Sequence, residues 1–79
     1  MKPQLPKLPI LSGNEIIKAL TKLGFIEIRQ KGSHMILKKN TQSGDIGCVV
    51  PIHKEVARGT LKGIIKQANL STEEFLQIL

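Results

Sequence analysis

The chain has 79 residues, of which 41% are hydrophobic and 3% aromatic, and its formal net charge is +6. This length predicts one domain with a single small core, and this hydrophobic fraction is too high for a disordered chain. An excess of twelve Lys and Arg over six Asp and Glu favours a polyanion or an acidic protein as the partner. With two Phe and no Tyr or Trp, contact with nucleic acid would depend on phosphates rather than on base stacking.

The N-terminal residues and the cysteine content indicate the compartment. Three prolines interrupt residues 1–11, which predicts an extended arm that packs loosely on a domain formed by residues 12–79. These prolines argue against a secretory signal, and no apolar run reaches the roughly 18 residues of a membrane span. The single cysteine, Cys48, excludes an internal disulfide. We therefore expect a cytoplasmic protein that does not insert into a membrane.

A helix is predicted to follow the arm. Ser12 and Glu15 have the spacing of a capping box, in which each side chain accepts the backbone N–H of the other residue. Apolar residues then recur at i, i+3, i+4 and i+7, which indicates one buried helix face. Gly24 is expected to end this helix as its C′ residue. The apolar stripe consists of Ile16, Ala19, Leu20 and Leu23.

The middle of the chain is predicted to form three antiparallel strands, with turns at residues 31–32 and 40–45. In the first strand, alternation places Ile26 and Ile28 on one face and Glu27 and Arg29 on the other. The strands are expected at residues 25–30, 33–39 and 46–50.

Two more helices complete the predicted fold. Thr60 is expected to cap the second helix and Asn69 to end it, and a capping box at residues 71–74 begins a short C-terminal helix. The order α-β-β-β-α predicts an α+β fold, a two-layer sandwich whose three-stranded antiparallel sheet has helices on one face. Double-stranded-RNA-binding domains have this arrangement.

His34 is the first candidate for chemistry. Alternation in the second strand turns Met35 and Leu37 towards the core, and His34 with Lys38 to the opposite, exposed face. Histidine titrates near neutral pH, so it could remove the 2′-OH proton or protonate the leaving oxygen when RNA is cleaved. Lys31 and Lys38 could hold the phosphate. The alternative is an ordinary exposed strand histidine.

Other polar residues have weaker signals. His53, in the loop after the third strand, could be the acid or base partner of His34, or could only bond backbone. Ser33 is a possible auxiliary residue, although adjacent strand residues point to opposite faces and a turn role is expected. Cys48 is expected to be a buried small residue. No spacing typical of zinc ligands occurs, so we expect neither a metal nor a small-molecule cofactor.

Basic residues suggest where phosphates could bind. The start of the second helix offers free N–H groups beside positive side chains, although a solvated helix face is the alternative. The predicted phosphate contacts are Lys31, Lys38, Lys39, Arg58, Lys62 and Lys66.

Three sequence blocks resemble one known family when they are taken together. They are GFIEIRQKGSHMIL at residues 24–37, VVPIHK at 49–54 and GTLKGIIKQANLSTEEF at 59–75. In this order and spacing they resemble the HicA-type, or YcfA-like, toxins of prokaryotic toxin–antitoxin systems. The resemblance extends from about Leu11 to Phe75. One departure is Met35, where many members have an aromatic residue or a second histidine.

The resemblance implies a fold, an activity and a partner. It implies a fold like that of double-stranded-RNA-binding domains, and a ribosome-independent endoribonuclease, or mRNA interferase, in which His34 of the GSH block is catalytic. It also implies a HicB-type antitoxin that blocks the active site. Two alternatives stay open, namely a catalytically inactive RNA-binding module of the same fold and a subunit whose basic face binds an acidic protein. The former predicts salt-sensitive RNA binding without degradation.

Overall fold

The computed structural model describes residues 8–79, and within them three helices and three strands follow the order α-β-β-β-α-α. The predicted α+β class and order of elements are confirmed. None of the helices in this part of the chain combines the length and apolar character needed to cross a membrane. The elements are α1 (Gly13–Lys22), β1 (Ile26–Lys31), β2 (His34–Thr41), β3 (Gly44–Pro51), α2 (Arg58–Gln67) and α3 (Thr72–Leu76).

The predicted capping boxes are both present. The Ser12 hydroxyl accepts the Glu15 N–H at 3.1 Å, and the Glu15 carboxylate accepts the Ser12 N–H at 2.9 Å. Ser71 and Glu74 repeat this pair of bonds at the start of α3. Gly24 follows the C-cap of α1 with a φ of +99°, as the sequence predicts for a C′ glycine. Local hydrogen bonds therefore define these helix ends.

The predicted start of α2 is wrong. The helix begins at Arg58 rather than after Thr60, and its N-cap, Ala57, makes no side-chain capping bond. The chain enters this helix from Val56, which is buried and donates its N–H to the Leu11 carbonyl at 2.7 Å. A tertiary contact thus sets the helix start, and no capping residue marks it. The predicted end of this helix at Asn69 is confirmed, because Asn69 follows the C-cap Ala68 and has a φ of 60°, in the left-handed region.

The sheet has the strand order β1-β2-β3, and both neighbouring pairs are antiparallel. The predicted turn over residues 40–45 is too long, because β2 and β3 remain paired as far as Thr41 and Gly44. Only residues 42–43 lie between the strands. Gly44 has a φ of +122°, which favours glycine at this turn.

The core lies between one face of the sheet and the helices, and α1 and α2 pack mainly against β3. Leu37 is fully buried and Met35 half-buried, so the predicted inward face of β2 is confirmed. The largest side chains that are almost fully buried are Phe75, Ile16, Leu20, Leu37, Leu61, Val50 and Val56.

The predicted alternation in β1 is wrong. Glu27 pairs with Leu37 whereas Arg29 pairs with Ile36, and the register shifts between them. Neighbouring residues of β2 point to opposite faces, so Glu27 and Arg29 do too, with Ile28 as the extra residue of a β-bulge. Every residue of β1 is exposed, because the helices pack against β3 instead.

The arm predicted over residues 1–11 is described from Leu8 onwards, and residues 1–7 lie outside the described part. Leu8 and Leu11 are buried in the core cluster. The Arg58 Nε donates to the Leu8 carbonyl at 2.6 Å, and Leu11 forms an isolated antiparallel bridge with Val56. Residues 8–11 are therefore part of the packed domain, in contrast to the loose packing expected from the prolines.

Candidate functional site

One face of the sheet is not covered by a helix in the described part of the chain. Directly opposed residues in neighbouring strands share a face, so the pairing register assigns side chains to this face. It combines basic and apolar side chains. We call it the open face and define it by Ile26, Arg29, Lys31, His34, Ile36, Lys38, Asp45, Val49 and Pro51.

His34 lies at one end of this open face. It is the first residue of β2, it is exposed, and its cross-strand neighbours are Lys31 in β1 and Pro51 in β3. The outward orientation predicted for His34 is confirmed. An ammonium group therefore lies on the same face as the imidazole, and both are accessible to a polyanion.

His53 lies next to His34 in space. The centroids of the two rings are 6.4 Å apart, with an angle of 64° between the ring planes. Two backbone hydrogen bonds hold the loop in this position. The Ile52 N–H donates to the Ser33 carbonyl at 2.6 Å, and the Gly13 N–H donates to the His53 carbonyl at 2.8 Å. The structure thus brings together two candidates that are 19 positions apart in the sequence.

Gly13 is a residue of this site that the sequence analysis did not identify. A Cβ atom at this position would collide with the Pro51 carbonyl oxygen and would lie 2.7 Å from the Ile52 Cα. Only glycine lets the start of α1 approach the loop so closely. Glycine is a poor helix former, so its presence directly after the capping serine was the one sequence feature that could have indicated this close contact.

Ser33 contributes its backbone to the site. It is exposed, precedes β2 and accepts the Ile52 N–H through its carbonyl oxygen. Its auxiliary role in chemistry stays a prediction.

Adjacent lysines in β2 lie on opposite faces of the sheet. Lys38 is on the open face, about 13 Å along the strand from His34, and its Nζ lies 4.0 Å from the Asp45 carboxylate. Lys39 faces the helices, with its Nζ 5.9 Å from the Phe25 ring centroid. Of these two predicted phosphate contacts, only Lys38 shares a face with His34.

The basic residues of α2 differ from one another in their surroundings. Arg58 donates from its Nε to the Leu8 carbonyl and so anchors the end of the arm. Lys62 and Lys66 are exposed on a helix that packs on the covered side of the sheet. These two ammonium groups therefore belong to a different surface from His34.

One family model, described as the HicA toxin of bacterial toxin-antitoxin, matches residues 13–70. The chain belongs to the HicA toxin family. This HicA-family protein is thus a toxin of a toxin–antitoxin system, with an antitoxin as its partner. No curated protein matches the chain. The matched region contains His34, His53 and Gly13, so the whole candidate site lies within the part that defines the family.

Burial makes Cys48 of this HicA-family toxin a poor nucleophile at neutral pH. The side chain is 2% exposed, and burial raises the pKa of the thiol to about 11. The thiolate is the reactive form, and desolvation disfavours it. Within residues 8–79 no group of three or more His, Cys, Asp and Glu side chains could hold a metal ion.

Proposed function

We propose that this HicA-family toxin is a ribosome-independent endoribonuclease that cleaves messenger RNA in the cytoplasm, with His34 as a catalytic general acid or base. The observation that supports this most directly is the exposed position of His34 on the open face, opposite Lys31. An accessible imidazole can transfer protons at neutral pH, and an ammonium group beside it can stabilise charge on a phosphate.

Phosphate binding is proposed for Lys31 and Lys38 on the open face and, farther from His34, for Lys62 and Lys66 on α2. Lys39 lies against Phe25 on the covered side of the sheet and Arg58 is bonded to the Leu8 carbonyl, so both are weaker candidates. Lys38 has an acidic neighbour in Asp45, but both side chains of that pair are more than half exposed, so a phosphate can compete for the ammonium group. With two aromatic residues that are both buried, Phe25 and Phe75, binding relies on charge and weakens as salt increases.

The nuclease proposal is tested with purified protein, a long single-stranded RNA and a His34→Ala variant. We expect the variant to cleave about 10² to 10⁴ times more slowly, because one proton-transfer group is lost. His34 is exposed, so the thermal unfolding midpoint of the variant should match that of the wild type. Gln67→Ala, an exposed change at the end of α2, is the control and should cleave at the wild-type rate.

Two results would contradict the nuclease proposal in different ways. Equal cleavage by wild type and His34→Ala would remove the catalytic role of His34. Salt-sensitive RNA binding by the wild type without degradation would replace the nuclease with an inactive RNA-binding module.

We also propose that the antitoxin is of the HicB type and covers the open face. Ile26 and Val49 are 65% and 43% exposed there, and Ile36 lies between the strands that carry them. Apolar side chains among basic ones fit a protein partner with apolar and acidic groups better than they fit RNA. Co-expression with the neighbouring open reading frame should restore growth of cells that produce the toxin. Continued growth arrest in the presence of that protein would contradict the assignment.

A further inference from the structure

The two histidine rings of the chain lie side by side at one end of the open face. Their ring centroids are 6.4 Å apart, which is too far for ring nitrogens to share a direct hydrogen bond. Both side chains are exposed, so a group from solvent can approach the two rings together. A phosphodiester that lies against this pair would have both imidazoles within reach.

The backbone around His53 is anchored, although the residue lies in a loop. Ile52 packs against the core, and this turns the next residue back towards the outer side of the sheet, where His34 lies. Hydrogen bonds to Ser33 and from Gly13 fix the backbone on both sides of the Ile52–His53 peptide. Anchoring of this kind fixes the His53 backbone at a position from which its ring lies near His34 before any substrate binds, and such proximity favours proton transfer.

From this geometry we infer that His53 is a second catalytic residue, paired with His34 as general acid and general base. The inference rests on the proposed nuclease function and extends it. One imidazole takes the proton of the 2′-OH as the 2′-oxygen bonds to phosphorus. The bond between phosphorus and the 5′-oxygen breaks, and the other imidazole, protonated beforehand, gives its proton to that oxygen. The products are a 2′,3′-cyclic phosphate and a 5′-hydroxyl.

The test compares two RNA substrates of one sequence. In the second, the 5′-oxygen at the cleavage site is replaced by sulfur, a leaving group that departs without being protonated. A variant that lacks the general acid should be slow on the oxygen substrate and near the wild-type rate on the sulfur substrate. A variant that lacks the general base should be slow on both.

The variants are His34→Asn and His53→Asn, with Lys54→Ala as the control in the same loop. On the oxygen substrate we expect each Asn variant to be about 10² to 10⁴ times slower than wild type, and the control to be unchanged. The Gly13 contact uses the His53 backbone carbonyl, so His53→Asn keeps it. Sulfur rescue of one Asn variant alone supports the pair and identifies which histidine is the acid.

Other outcomes overturn the inference. If His53→Asn cleaved the oxygen substrate at the wild-type rate, His53 would transfer no proton in the reaction. Rescue of both Asn variants or of neither would mean that the two residues do not divide the acid and base roles. A wild-type protein that cleaves neither substrate contradicts the nuclease proposal itself, and the pair with it.

Discussion

Glu15 and Glu74 link the folding of the HicA-family toxin to pH. Each carboxylate accepts the backbone N–H of the serine three residues earlier, and this bond lowers the carboxyl pKa below its ordinary value of 4.5. A carboxyl group whose pKa is lower in the folded than in the unfolded state stabilises the fold above the unfolded value. That stabilisation is lost as the pH falls through the lower, folded value.

We therefore predict that the free energy of unfolding of a Glu15→Gln, Glu74→Gln double variant depends less steeply on pH in the acid range than that of wild type. As the pH falls through 4.5 and then through the lower pKa of the folded state, wild type should lose more free energy of unfolding than the variant, which has no carboxylate to protonate at either cap. Urea unfolding at a series of pH values measures this. Glu73→Gln removes one carboxylate next to Glu74 but leaves both capping boxes intact. The free energy of unfolding of this control should therefore fall with pH as steeply as that of wild type. Parallel profiles for all three proteins would contradict the prediction.

For the single residues of β2, the direction of a side chain could be predicted from the sequence, whereas a contact with another element could not. The outward direction of His34 and Lys38 follows from alternation within one strand, and the structure confirms it. The sequence offered His53 as a possible partner of His34 but could not decide between that role and a purely structural one. The approach of the two residues depends on Gly13 and Ser33, which hold the loop from two other elements.

Among the elements, α1 and the loop after β3 meet at Gly13. In α2, by contrast, the space around the position that a Cβ of Gly63 would occupy is open to at least 4 Å. An alanine in a helix is about 1 kcal/mol more favourable than a glycine when nothing obstructs it. The same substitution should therefore have opposite effects at these two glycines.

We predict that Gly13→Ala lowers the free energy of unfolding by about 1–3 kcal/mol, because the new methyl group displaces the Pro51–Ile52 backbone. Gly63→Ala is the matched control and should raise the free energy of unfolding by about 1 kcal/mol. Chemical denaturation of both variants measures the difference. Gly13→Ala should also slow RNA cleavage, since the displaced segment carries His53. An increase in stability from both substitutions would contradict the close packing at Gly13.

The elements themselves could be predicted where their signals are local. The capping boxes at Ser12 and Ser71 lie within one helical turn, and their signals were sufficient. The bulge at Ile28 is different, because register depends on the partner strand and no residue type marks it. The prediction for the start of α2 failed for a similar reason, since the chain before this helix is held by a contact of Val56 with a distant residue, Leu11.

For the whole molecule, the net charge of +6 predicts a polyanion or an acidic partner but not the surface that binds it. Lys38 and Lys39 are adjacent in the sequence but lie on opposite sides of the sheet. Lys38 is on the open face, whereas Lys39 lies beside Phe25 on the side that the helices cover. Substitutions at this pair therefore test whether the proposed RNA-binding surface is the open face.

We predict that Lys38→Gln weakens RNA binding and that Lys39→Gln does not. Each phosphate contact that is lost should reduce the slope of log affinity against log salt concentration by about 0.7 for single-stranded RNA. Fluorescence anisotropy at several salt concentrations, with the catalytically silenced His34→Ala variant as background, gives the slope. Both variants carry the same charge change, so equal loss of affinity would indicate that total charge, rather than the open face, determines binding.

The proposed antitoxin contact can be separated by experiment from the proposed RNA cleavage on the same open face, because the two partners would use different chemistry there. Val49 and Leu79 are exposed to a similar degree, 43% and 51%, but only Val49 lies on the open face. An aspartate at either position introduces one negative charge and removes one exposed apolar side chain. We predict that Val49→Asp weakens antitoxin binding at least tenfold, because burial of an unpaired carboxylate in a basic-apolar contact is costly.

Leu79→Asp should bind the antitoxin as wild type does, and both variants should keep at least part of the RNA cleavage activity. Calorimetric titration of the toxin with the antitoxin, beside the RNA cleavage assay, provides both measurements. If Val49→Asp and Leu79→Asp bound the antitoxin equally well, the apolar residues of the open face would not be part of the contact. The antitoxin would then have to block His34 from another side of the molecule.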